Sequence, residues 1–171
     1  MAIQASFESI EVRAFVNFLH AHSSVTRRLD RELVTDHGLT ITDYEVLLHL
    51  SRAPDQMMRR VDLAKRVVLT PSGITRLLHG LQLSGLVCNE SCESDARVVY
   101  AKLTGEGAKR LERASQMHVE SIRELFCERF SHEELAVLAA LLERLTGARA
   151  EDAGTELDDC SDVEGHLVQR R

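Results

Sequence analysis

The sequence predicts a mostly α fold with a small β-hairpin wing: a winged helix-turn-helix carried between N-terminal and C-terminal dimerisation helices. Three observations lead there. Apolar residues recur at helical spacing through both terminal thirds of the 171-residue chain. Between them, residues 61–67 and 71–84 read as two helices around a short hinge, Val68-Leu69-Thr70. Then Leu86-Val87-Cys88 and Val98-Val99-Tyr100-Ala101 are strand-like on either side of a polar tip, which makes 88–100 a wing.

The elements follow in order. Residues 9–36 form one long helix. Phe7, Ile10, Ala14, Phe18, Val25, Leu29 and Leu33 keep near the i, i+3, i+4 pattern, Phe15 and Leu19 widen the stripe, and Gly38 suits the C-terminal cap. Such a helix is too long and too apolar for one small reading head to cover. A partner subunit is the economical cover, with the chain's own C-terminal helices supplying part of it. Thr42 and Glu45 form a capping-box pattern for a helix over 43–52, and Ala53-Pro54-Asp55-Gln56 breaks it. Arg59 and Arg60 come next, placed either to touch phosphates or to remain solvated.

In the second helix of the pair, 71–84, Thr70 is a good N-cap and Pro71 fits the first helical position. Ile74, Leu77, Leu78 and Leu81 make its buried stripe, and Gly85 suits a left-handed C-terminal cap. After the ribbon, Thr104-Gly105-Glu106-Gly107 opens a helix to about Cys127, lined by Leu111, Ala114, Met117, Ser121, Ile122 and Leu125. Ser131 and Glu134 form another capping box, starting a helix to about Thr146 that carries Leu135, Leu138, Leu141, Leu142 and Leu145. The expected organisation is therefore 1–38, a dimerisation helix; 39–104, the winged helix-turn-helix; 105–147, further dimerisation helices; and 148–171, an acidic tail short of aromatics that is expected to be disordered. The leucine stripe of the last helices suits an intertwined dimer or a purely intramolecular core.

The chemistry concentrates in the middle third. The free face of helix 71–84 carries Ser72, Gly73, Thr75, Arg76 and His79, with Thr70 at its start. Short hydroxyls and a glycine allow close approach to bases and phosphates, and Arg76 can present a two-pronged donor to guanine or pair with phosphate. At the wing tip, Arg97 suits a narrow, electronegative minor groove, with Asp95 placed to hold its guanidinium. A solvated helix beside an ordinary surface hairpin would carry similar residues. The formal net charge of −6 is at odds with an anionic partner until it is mapped. From Glu151 onward seven acids face two arginines, a net of −5, whereas 57–113 holds ten Lys/Arg against six Asp/Glu, a net of +4. Local charge sets attraction to phosphate. The tail is either an inert solubilising end or a competitor for the basic face.

At this point the sequence resembles a known family. LTPSGITRLLHGLQLSGLV (69–87), followed by SDARVVYAKLTGEG (94–107), is similar to the MarR family of bacterial transcription regulators, over about residues 7–147. The resemblance implies a homodimeric winged-helix protein on a palindromic double-stranded DNA operator, commonly a repressor released by a small phenolic or carboxylic effector or by thiol oxidation. It places Ser72, Thr75 and Arg76 at base- or phosphate-contacting positions and Asp95 and Arg97 at the wing tip. Cys88-Asn89 departs from the family, where a charged pair usually follows the Leu-Val. An effector would sit between the dimerisation helices and the reading head, where His20, Arg27, His37 and Tyr44 are the polar candidates; each is also explicable as a core or surface residue.

A redox switch through Cys88 and Cys92 is the alternative regulation, although four residues of extended strand set them about 13 Å apart, too far for an internal bridge. The first helix has no cysteine, where an oxidant-sensing branch of the family carries one. No metal site or other cofactor is predicted, since His20 and His22 point to nearly opposite faces of a helix and no zinc spacing occurs. No phosphate loop, nucleophile elbow or zinc-protease motif suggests an enzyme. A non-catalytic winged helix that binds protein is the competing class. Normal composition, 44% hydrophobic and 28% charged, together with no secretory signal, no membrane-length apolar run and no disulfide framework among four cysteines, leads to the expectation of a cytoplasmic protein.

Overall fold

Ser9 opens the first helix, its Oγ accepting from the Val12 N–H at 3.4 Å, and Gly38 closes it in the left-handed region at φ 65°. This helix, α1, runs Ile10–His37. The computed structural model describes residues 9–91 and 99–146. The elements that follow are α2 (Ile41–Ser51), a 3-10 turn (Pro54–Gln56), β1 (Met57–Arg59), α3 (Arg60–Arg66), α4 (Pro71–Leu83), β2 (Val87–Ser91), β3 (Val99–Leu103), α5 (Gly105–Cys127) and α6 (His132–Thr146). Two compact units divide the chain, 1–128 and 129–171.

In the first unit one apolar core joins the reading head to the long helices. Leu33 of α1, Leu39, Val46, Leu47 and Leu50 of α2, Leu63 of α3, Ile74 and Leu78 of α4, and Ala101 of β3 are all essentially inaccessible to water. Leu111 and Ala114 of α5 join the same cluster. Leu33 of α1 enters it and Leu29 is buried one turn before, whereas Ile10, Phe15, Phe18 and Leu19, expected on the covered stripe, are exposed in the single chain. On α5 the buried set is Gly107, Leu111, Ala114, His118 and Leu125, with Met117 exposed and Ser121 and Ile122 partly buried. In the second unit, α6 begins with the expected box: the Ser131 N–H donates to Glu134 Oε2 at 2.8 Å and the Glu134 N–H to Ser131 Oγ at 3.3 Å.

Two expectations are corrected. The capping box of α2 is Thr40 with Asp43, not Thr42 with Glu45. Thr40 Oγ1 accepts from the Asp43 N–H at 3.1 Å and Asp43 Oδ2 accepts from the Thr40 N–H at 3.0 Å. Asp30 of α1 fixes the start of the helix there by accepting from the Ile41 N–H at 2.9 Å. The ribbon is also not two-stranded. Met57–Arg59 adds a third strand, giving the antiparallel order β1-β3-β2. Three residues are too few for a period-two pattern to show.

Candidate nucleic-acid interface

α4 presents a prepared face because its local bonds are closed within the helix. Thr70 Oγ1 accepts from the Gly73 N–H at 3.1 Å and lies 3.2 Å from Ser72 Oγ. A Cβ on Gly73 would press on Thr70 Oγ1 at 3.2 Å, so a small residue at 73 keeps the cap compact. Ile74, Leu78 and Leu81 are buried and Leu77 is partly buried, which turns Ser72, Thr75, Arg76 and His79 to the outside. Thr75 Oγ1 donates to the Pro71 carbonyl at 2.8 Å. Its hydroxyl proton is thus committed, and what it offers a base edge is a methyl group and oxygen lone pairs. Arg76 makes no hydrogen bond or ion pair among the described residues, leaving its five N–H donors available.

The sheet follows this helix, with β2 and β3 paired in antiparallel register. Val87 opposite Leu103 is buried on the inward face, and Asn89 opposite Ala101 lies on that face too. Cys88 opposite Lys102 and Glu90 opposite Tyr100 take the other face, where Lys102 Nζ pairs with Glu90 Oε2 at 3.1 Å. Cys88 is an exposed free thiol. Asp95, Arg97 and Cys92 lie outside the described residues. At the sheet's opposite edge, the Arg59 guanidinium lies 6.0 Å from the Tyr100 ring centroid, and its Nε donates to the Tyr100 hydroxyl at 3.4 Å.

A second polar cluster sits where α1, α2 and α5 meet. Of the four effector candidates, His37 and Tyr44 are here. Tyr44 is buried, its hydroxyl 3.1 Å from Ser115 Oγ and its ring 4.6 Å from that of His118. His118 is itself buried, and burial pushes its imidazole below the ordinary value, with the Glu32 charge opposing. Glu32 Oε1 accepts from Arg28 Nε at 2.9 Å, which holds its carboxyl below the usual range. Glu32 Oε2 and His37 Nε2 are shielded from water without a hydrogen-bond partner among the described residues. Both residues line a small cleft with Asp36, His118 and Ser121, and His37 also borders an open groove of about 450 Å³ with Arg110 and Arg113. His20 and Arg27 lie elsewhere on α1. Arg27 donates to Ser23 Oγ at 2.9 Å, and His20 is about 25 Å along the helix from His37.

His118, Glu32, Ser115 and Arg110 were not anticipated as site residues. His118 keeps helical spacing with Leu111, Ala114 and Leu125, so a polar residue on an apolar stripe was the available signal. His49 of α2, lowered by burial and then by the charges of Arg66 and Arg52, marks a basic edge that ordering along the chain gives no means to assemble.

The chain is similar to known proteins in sequence and in fold. A family model described as MarR family matches residues 37–98. The transcriptional repressor YetL of Bacillus subtilis (strain 168) is 34% identical over 113 residues, covering 64% of this chain and 67% of that protein. The homoprotocatechuate degradative operon repressor of Escherichia coli is 30% identical over 125 residues, covering 71% and 82%. Among solved structures, Sco3205 from Streptomyces coelicolor, a MarR family transcriptional regulator in complex with DNA, superposes with a TM-score of 0.76 at 28% identity, over 81% of this chain and 87% of that one.

Proposed function

The chain belongs to the MarR family of transcription regulators, and from that premise we propose that it is a ligand-responsive homodimeric repressor reading a palindromic operator through two copies of α4. The observation that carries this reading is the outward face of α4, where Arg76 is uncommitted beside Ser72, Thr75 and His79. Two such helices held about 34–36 Å apart would enter successive major grooves. Thr70 and Gly73 shape the first turn for close approach to phosphate, and Arg97 with Asp95 serves the flanking minor groove. The uncovered apolar face of α1 is the surface a second copy would bury.

The open groove of about 450 Å³ between the end of α1 and α5, bordered by His37, Arg110 and Arg113, is the effector site in this reading. It lies where α1 meets the reading head, so a ligand that favours one arrangement of these helices changes the spacing of the two α4 copies. His37 is its sequence-predicted member, joined by Arg110 and Arg113, whose guanidinium groups suit a carboxylate; Glu32 and His118 line the small cleft that His37 also borders. A relative that represses a homoprotocatechuate degradative operon supports a phenolic or carboxylic effector. The decisive experiment selects genomic fragments with the purified protein and measures the recovered operator against Arg76→Ala. The variant is expected to bind more weakly by about 1–3 kcal/mol if Arg76 reads guanine with both prongs. Equal affinity of variant and unmodified protein, with equal preference among half-site sequences, would overturn the assignment.

A further inference from the structure

We propose that Asn89 is a positioning residue for operator reading: it locks the wing ribbon to both helices of the helix-turn-helix through Arg60 and Gln82. The proposal rests on the operator-binding reading above. Its starting point is an exposed polar residue on the strand face that turns toward the helices. β2 is an outer strand of the sheet, and its first residue, Val87, is anchored in the core opposite Leu103. Two residues on, Asn89 lies opposite Ala101, which is wholly buried, and so shares the side facing the helices.

There its carboxamide oxygen accepts from Arg60 Nη2 at 2.8 Å and from Gln82 Nε2. Arg60 is the first residue of α3 and Gln82 lies in the last turn of α4. One oxygen therefore joins the start of the first helix, the end of the second, and the strand that leads into the wing. Both of its lone pairs are used.

The mechanical consequence follows from the shape of a ribbon. Ladder hydrogen bonds resist stretching in the plane of the sheet but only weakly resist bending out of it. The apolar anchor at Val87 and Leu103 fixes the ribbon's root, and Asn89 fixes it again nearer the tip. With the second point in place, the angle between ribbon and α4 is set, and with it the distance between the groove read by α4 and the one beside it. Without it the ribbon turns about its root, while α4 keeps its own cap and buried stripe.

The test uses the full chain and the operator recovered above, with Asn89→Ala, Gln82→Ala and the double variant. Asn89→Ala is expected to weaken operator binding about tenfold. It should also make the dependence of log affinity on log salt shallower by about one to two units, because the displaced wing of each half-site neutralises about one phosphate fewer. Preference among base changes under α4 should persist, and melting should stay close to that of the unmodified protein because the clamp is exposed. The double variant should bind no worse than Asn89→Ala, since both changes break one clamp. Unchanged affinity and salt slope in Asn89→Ala, a weakened affinity with an unchanged slope, or additive losses in the double variant would each overturn the proposal. Failure of the unmodified protein to retain any operator would instead remove the operator reading on which the clamp depends.

Discussion

Val68 occupies a backbone conformation that valine rarely tolerates. It sits at φ 54° in the hinge between α3 and α4, with its side chain 89% exposed. The reason is a helix cap used twice. At the end of α4, Gly85 takes φ 70°, its N–H donates to the Gln82 carbonyl at 3.0 Å, and the Leu86 N–H reaches the Leu81 carbonyl at 2.9 Å. At the end of α3, the Val68 N–H reaches the Lys65 carbonyl at 3.4 Å and the Leu69 N–H reaches the Ala64 carbonyl at 2.9 Å. The same motif thus has glycine in one copy and a β-branched residue in the other. Val68→Gly is expected to stabilise the protein by about 0.5–1 kcal/mol, the relief of left-handed strain exceeding the extra entropy of the unfolded chain. Thermal unfolding checks it, and a lowered melting temperature would contradict it. His118 yields a second prediction. Its pKa is lowered by burial, so the unfolded chain binds the proton more tightly than the folded one. Stability is therefore fully present above the ordinary imidazole value of about 6.5 and is lost as pH falls from there through the folded value. His49, lowered by burial and by Arg66 and Arg52, acts with the same sign. Denaturant unfolding between neutral pH and about 5 should show this fall, and His118→Gln should reduce it; Glu32, also lowered, acts only nearer the usual glutamate value of about 4.3. A slope identical in the variant would assign the pH dependence elsewhere.

Where α5 crosses the end of α4, the contact is between backbones. Thr104 caps α5, its N–H donating to the Leu86 carbonyl at 3.1 Å and its Oγ1 to the Gly85 carbonyl at 2.7 Å. A Cβ on Gly107 would stand 2.1 Å from the Leu86 carbonyl oxygen and 2.8 Å from Leu103 Cδ1. Neither the carbonyl, held by Thr104, nor the buried Leu103 can yield. Gly107→Ala should therefore destabilise by about 3 kcal/mol, whereas Gly105→Ala, with open space around the added methyl, should change little. Urea unfolding of the two variants separates them. The elements with local chemical punctuation were legible in the sequence: Thr70-Pro71 and Gly85 bracket α4, and Ser131 with Glu134 starts α6. What was not legible depends on distant partners. β1 is a strand only because Arg59 and its neighbours pair with Tyr100 to Lys102. Thr40 and Thr42 are both able to cap α2, and the choice is made by Asp30 of another helix. At the candidate site, the α4 face followed from periodicity, but the grouping of Tyr44 with His118 and Glu32 joins three helices and has no imprint in spacing along the chain.

Among the described residues, the single chain leaves large apolar side chains open along two helices. On α1, Ile10, Phe15, Phe18 and Leu19 are between 42% and 61% exposed. On α6, considered by itself, Val137, Leu141, Leu142 and Leu145 are exposed as well. Isolated apolar residues on a surface need no explanation, but a run along one helix marks a surface meant for burial. Fully burying each such side chain is worth about 1.5–3 kcal/mol, so an interface containing several of them on each copy has ample driving force. In the proposed reading, the outward face of α4 alone, without a second copy at fixed spacing, would read one half-site and bind weakly. Leu19→Glu is expected to place a charge in that interface, shift the protein to single chains in sedimentation at micromolar concentration, and weaken binding of the full palindrome by at least about a hundredfold while leaving the weak affinity for an isolated half-site intact. Arg76→Ala should do the reverse, retaining the assembled state and losing both half-site and palindrome binding. If Leu19→Glu instead sedimented like the unmodified protein and held the palindrome as firmly, the N-terminal stretch of α1 would have to be removed from the interface, and the spacing of the two reading helices would have to be set by other parts of the chain.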